Sequence, residues 1–269
     1  MKQMNLTKKK VSTEAYQAFL PHNMLRVQHF FERPPPLGVH NVPRERLVDT
    51  DECAFELTKT NRSSGHAGVG IRIRKPGFCT KDSKITVIAA IEPGDPNVPD
   101  HLDGSLARPR RWFVVNDSEG TTAIQFCEFL ETVLLECEGS GLFVDLHRVF
   151  LWDDLRSHLA PIVHQTVEGR PSNNVFRIVP RPTHAPKHGP IDQIFCELGD
   201  RLRKRANCTW TNAVFRQEIV EVLGSLGTDG RFNQTFAHCG CQICFLLLHL
   251  QHEIATPSPG LLSLCWCMR

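Results

Sequence analysis

Three aspartates stand where an α/β chain would bring side chains to one end of a sheet: Asp51 in an apolar strand, Asp153 directly after another, and Asp192 in the first turn of a helix. Carboxylates that converge from separate elements offer hard oxygen ligands, which select Mg²⁺ or Mn²⁺. Two such ions about 3.5–4 Å apart activate a nucleophile and stabilise the leaving oxygen of a phosphodiester. Ligands of open sheets collect beyond the carboxyl ends of strands, so adjacent strands carrying Asp51 and Asp153 would bring both to one cation. Position alone leaves a plainer account standing, because strand-end, turn and helix-start aspartates are common for capping reasons. Asp49 is a rival for the first ligand, since it lies two residues before Asp51 and projects from the same strand face.

The elements that must position these acids follow from periodicity and breakers. The pattern predicts a helix over 13–31, ended by Pro34, Pro35, Pro36 and Gly38. Strands are predicted at 47–48 continuing through 53–57, at 68–74 and at 84–91, then a long surface loop over 93–111 and a short strand over 112–115. An amphipathic helix over 121–137, a strand over 148–152, a helix over 157–167 and a strand over 175–179 come next. Pro190 then opens a helix running to about 204. A three-strand meander followed by alternating helices and strands is an α/β mixed sheet with helices on both faces, the element order of the ribonuclease H-like fold.

The residues around the acids form three ordered blocks. Val48-Asp49-Thr50-Asp51-Glu52-Cys53-Ala54-Phe55 is an apolar strand ending in Asp-Glu, with a small residue and an aromatic after it. Val149-Phe150-Leu151-Trp152-Asp153-Asp154-Leu155-Arg156-Ser157-His158 is an apolar run, two acids and a His. Pro182-Thr183-His184-Ala185-Pro186-Lys187-His188-Gly189-Pro190-Ile191-Asp192-Gln193-Ile194-Phe195 is a Pro-rich loop closing on Pro-Ile-Asp. Together they resemble the catalytic blocks of mariner-like DDE transposases, over about residues 45–205. The resemblance implies a metal-dependent DNA endonuclease and strand transferase using two Mg²⁺ or Mn²⁺ ions. It assigns Asp51, Asp153 and Asp192 as metal ligands and catalytic residues, with Glu52, Asp154 and His158 in support. Three positions depart from the family pattern: Asp192 stands where most relatives have Glu, and Gly189 and Asp154 each replace an Asn. About 40 residues precede the first block, where the family carries helix-turn-helix domains. The alternative from another class is a domesticated or decayed nucleic-acid-binding protein that keeps the fold.

DNA is the expected partner, and a homodimer is a further one. Thirty-one Lys and Arg against 29 Asp and Glu leave a net charge of only +2, so phosphates must be met by local clusters. These are Arg72, Arg74 and Lys75; Arg108, Arg110 and Arg111; and Arg201, Arg203, Lys204 and Arg205, the last group equally suited to a helix C-terminus. No run of apolar residues is long enough for a membrane helix and no secretory signal is present, so the chain is expected in the nucleus of a eukaryote or otherwise in the cytoplasm. Its 11 cysteines then read as thiols. Cys239, Cys241 and Cys244 with His238, His249 and His252 lack a second well-spaced pair, and no zinc is expected. The division that follows is an arm over 1–44, a catalytic domain over 45–238 and a Cys-rich tail over 239–269.

Overall fold

Among the described residues five segments form strands, β1 (Leu47–Phe55), β2 (Ile85–Glu92), β3 (Arg110–Asn116), β4 (Arg148–Trp152) and β5 (Phe176–Pro180), and β-branched and aromatic residues dominate all of them but β1. The computed structural model describes residues 16–61, 68–69, 84–94, 109–117, 120–139, 148–170, 176–206, 209–227 and 231–241. The strands make one mixed sheet in the order β3-β2-β1-β4-β5. β1 pairs antiparallel with β2 and parallel with β4; β2 pairs antiparallel with β3, and β4 parallel with β5. β2 and β4 are buried along their whole length, as strands covered on both faces should be.

Side chains alternate between two cores. Leu47, Val87, Ala89, Val149 and Leu151 point to one face, where they pack with α1 (Pro21–Glu32), α4 (Pro190–Arg205), α5 (Asn212–Ser225) and α6 (Arg231–His238). Val48, Ile88, Phe150 and Trp152 point to the other, under α2 (Ala123–Gly139) and α3 (Pro161–Glu168). The alternation puts Asp49 and Asp51 on the same face as Leu47, toward α4.

Local chemistry fixes the helix ends. Thr122 and Gln125 form a reciprocal capping box, with Gln125 N–H donating to Thr122 Oγ1 (3.2 Å) and Thr122 N–H donating to Gln125 Oε1 (2.9 Å). Thr211 Oγ1 accepts from Val214 N–H and starts α5. The helix predicted from 157 begins instead at Pro161, and the one predicted over 13–31 begins at Pro21, behind a short 3₁₀ turn at Tyr16–Phe19. One cause serves both: the residue before a proline is driven out of the α region, and Ala160 (ψ 136°) and Leu20 (ψ 137°) are extended. β1 runs unbroken through its acids and stops at Phe55, because Leu57–Thr60 turns into a 3₁₀ helix closed by Thr60 Oγ1 donating to Leu57 O (2.6 Å). The strand predicted over 68–74 lies largely outside the described residues. Among the described residues the antiparallel set is β1, β2 and β3, the last longer than predicted because it runs from Arg110 to Asn116.

Candidate metal centre

The parallel register sets the site. Asp49 lies opposite Leu151 across β1 and β4, so Asp51 and Asp153, each two residues further on, come level at the carboxyl end of β4. Asp51, Asp153 and His158 each bring a ligand atom within 4.8 Å of the others, and no other described residues make such a group. Asp192, Glu52 and Asp154 are outside it.

Asp153 is set by the turn that follows β4. Its Oδ1 accepts from Leu155 N–H (3.1 Å) and from His158 Nδ1 (2.8 Å), while His158 N–H donates to Leu155 O (2.9 Å). The His158 ring is fully buried, stacked on Phe126 at 4.2 Å and beside Trp152 at 6.4 Å. Burial works to raise the Asp153 pKa, but the bond to and charge of His158, the Leu155 amide and the charge of Arg181 outweigh it, and the net shift is downward. Asp153 is thus an ionised oxygen donor at neutral pH, half-exposed to solvent.

Asp51 turns its Oδ1 to Glu52 N–H (2.7 Å) and its Oδ2 to Arg181 Nη2. Asp49, the rival, has no exposure; its Oδ2 accepts from Ile191 N–H (2.8 Å), and burial pushes its pKa to about 7. Of the two, the structure brings Asp51 to Asp153 and buries Asp49 beneath α4. Asp192 Oδ2 accepts from Arg181 Nη1 (2.8 Å), and burial, against the pull of Arg181, raises its pKa to about 6. Glu52 is half-buried with a raised pKa, again through burial first. Asp154 faces away, 3.6 Å from Arg26 Nη1 of α1.

Arg181 is the functional-looking residue that the sequence reading missed. Its side chain is 5% exposed and meets Asp51, Asp192 and, at 3.5 Å through Nε, Asp49. Burial would lower its pKa; the three carboxylates more than reverse that. A cation between two prolines, two residues past a predicted strand and immediately before an acid-bearing block, was the available signal.

The donor set fits a divalent cation: two carboxylates and a histidine within reach of one another, one carboxylate held ionised. No protein-family model matches the sequence, and no curated protein does. Solved structures do match. The paired-end complex of the Mos1 mariner transposase with Mn has a TM-score of 0.63, covering 89% of this chain and 66% of that one at 13% identity. The Mos1 paired-end complex with the left transposon end gives 0.60, with 87% and 67% covered at 14% identity. The fold is that of the Mos1 transposase. The chain spans about two thirds of the length of these Mos1 chains.

On this Mos1-type fold the proposed phosphate contacts fall into different places. Arg110 pairs with Glu92 and lies 5.2 Å over the Trp112 ring, and Arg111 donates to Leu226 O and Gly224 O. Arg201 pairs with Glu197, Arg203 with Asp200, and Arg205 with Glu218 and Glu221. Lys204 is exposed in the last turn of α4. Arg72, Arg74, Lys75 and Arg108 lie outside the described residues, as do residues 242–269 of the Cys-rich tail. No described helix is long and apolar enough to cross a membrane.

Proposed function

We propose that the chain is a DDE-type DNA endonuclease and strand transferase that depends on a divalent cation, with Asp51 and Asp153 as its ligands and Asp192 as the third acid of the cleft. The observation that carries this reading is the meeting of Asp51, Asp153 and His158 within 4.8 Å at the ends of two adjacent parallel strands, in a fold shared with Mos1. Mg²⁺ or Mn²⁺ bound there would polarise a phosphodiester and activate a water or a DNA 3′-hydroxyl. The chain's own residues do the positioning. His158 fixes the Asp153 carboxylate and keeps it ionised, and Arg181 balances the charge of Asp51 and Asp192. The Mos1 complexes named for Mg, Mn and a transposon end support DNA as partner and these ions as cofactors.

The test is nicking of supercoiled plasmid with Mg²⁺ or Mn²⁺. Cleavage should disappear with a chelator and in Asp153→Asn, while DNA binding survives. A second reading, a nucleic-acid-binding protein that keeps the fold without its chemistry, is favoured by Arg181 standing among the acids. It would give DNA binding with no cleavage under any metal.

A further inference from the structure

Arg181 follows the last residue of β5, and its N–H donates to Trp152 O (2.7 Å), which holds its backbone at the carboxyl end of the parallel strands. From there the guanidinium reaches inward and spans Asp51 and Asp192, one nitrogen on each. The space for it depends on Gly189. A Cβ at that position would run into Arg181 Nη1 and Asp192 Oδ2. The Gly189 backbone (φ −99°, ψ 104°) is open to any residue, so a side chain there would displace these two side-chain ends without straining the backbone. Asp192, meanwhile, is outside the group formed by Asp51, Asp153 and His158.

We infer that Arg181 is a resident cation of the cleft: it occupies the place between Asp51 and Asp192 that a second divalent ion would need, and leaves the chain a single ion on Asp51 and Asp153. The inference rests on the metal-dependent reading above and changes the role of Asp192, which becomes a positioning residue for Arg181. Clustered carboxylates repel one another, and a cation among them offsets part of that repulsion. A guanidinium does that permanently, being charged at every accessible pH and forked to meet two carboxylates at once.

Mn²⁺ titration of the purified full chain without DNA, followed by calorimetry and by electron paramagnetic resonance, tests this. The wild type should bind one Mn²⁺, and Asp192→Asn should bind it with unchanged affinity. Arg181→Met, which removes the guanidinium and leaves both carboxylates in place, should bind a second ion, as should Arg181→Gln. Circular dichroism checks that each variant is folded, and Arg181→Gln carries the test should Arg181→Met not fold. Two ions in the wild type, one of them lost in Asp192→Asn, would overturn the inference, and so would one ion at equal affinity in every variant. Plasmid nicking by the same preparations separates the two readings. Nicking with two ions bound retains the enzyme and removes the resident cation; one ion without nicking does the reverse; no Mn²⁺ in any variant removes both.

Discussion

The Asp49 carboxylate accepts a 2.8 Å hydrogen bond from the backbone N–H of Ile191 and so fastens the first turn of α4 to the centre of β1. Helix N-termini carry N–H groups with no partner inside the helix, and here one of them is satisfied by a fully buried acid of the neighbouring strand. The same bond carries the Pro-Ile-Asp block to the sheet, so Asp192 faces the strand ends because Asp49 holds its helix. Asp49→Ala removes the acceptor and one of the carboxylates around Arg181. It should cost about 3 kcal/mol, read as a lower midpoint in urea unfolding with an unchanged m-value.

Asp49 also gives the stability an unusual dependence on pH. Burial raises its pKa from 3.8 to about 7, so between these values the native state keeps a proton that the unfolded chain has released. Stability then falls as the pH rises through that window, and the contribution is fully present only below the unfolded pKa. Asp192, raised to about 6, acts in the same direction over the lower part of the range. Thermal midpoints of the wild type should decline from pH 4 to 7 relative to those of Asp49→Asn. A parallel profile in the two proteins would show that Asp49 is ionised in the fold.

His158 should matter to metal binding through the carboxylate it orients. Its Nδ1 is engaged with Asp153 Oδ1, and its buried ring stacks on Phe126 beside Trp152. Residues that hold a metal ligand in place typically contribute about 10–100-fold to affinity. His158→Ala should weaken Mn²⁺ binding on that scale in calorimetry. His158→Asn, whose amide can donate in place of Nδ1, should recover part of the loss; failure of Asn to recover any would point to a ligand role for the ring itself.

β2, β4 and β5 were legible in the sequence to within a residue or so because short-range rules set them. The segment 148–152 was read as it stands, since five apolar or stem-buried residues between turn signals leave few alternatives. Asp153 and Asp192 could be placed because a strand end and a Pro-initiated helix are local features. The starts of α1 and α3 were misplaced where a proline overruled the apolar period. α5 and α6 went unread: α5 owes its packing to Phe215, Ile219 and Val222 meeting the sheet, a long-range fact. Arg181 was missed for the same reason, since its three partners lie 11 to 132 positions away in the chain and nothing local marks it as buried.

Glu92 is the hinge of a second buried charge group, remote from the acids. At the end of β2 it accepts from Arg148 Nε (2.9 Å) and Arg110 Nε (2.6 Å), and Arg148 also reaches Cys137 O (3.3 Å). Glu92 and Arg148 are each almost fully buried. Removing one member leaves a desolvated charge behind, which costs about 3–5 kcal/mol. Glu92→Ala should therefore be among the most destabilising single changes outside the hydrophobic core. Glu92→Ala combined with Arg148→Met should lose less than Glu92→Ala alone, a comparison that equilibrium denaturation makes directly.

Arg111 separates basic residues that build the fold from those free to meet a phosphate. From β3 its guanidinium donates to Leu226 O (2.6 Å) and to Gly224 O, capping the end of α5 and tying that helix to the edge of the sheet. A cation at a helix C-terminus with two carbonyls to satisfy is already committed. Arg111→Ala should destabilise the protein by about 1–3 kcal/mol, while the salt dependence of DNA binding stays as it is. Lys204, exposed in the last turn of α4, should behave the opposite way: Lys204→Ala should leave stability unchanged and reduce the slope of log K against log salt by about 0.9, the value for one phosphate contact. An Arg111→Ala variant of normal stability with a shallower slope would place Arg111 on DNA and break the division drawn between the two.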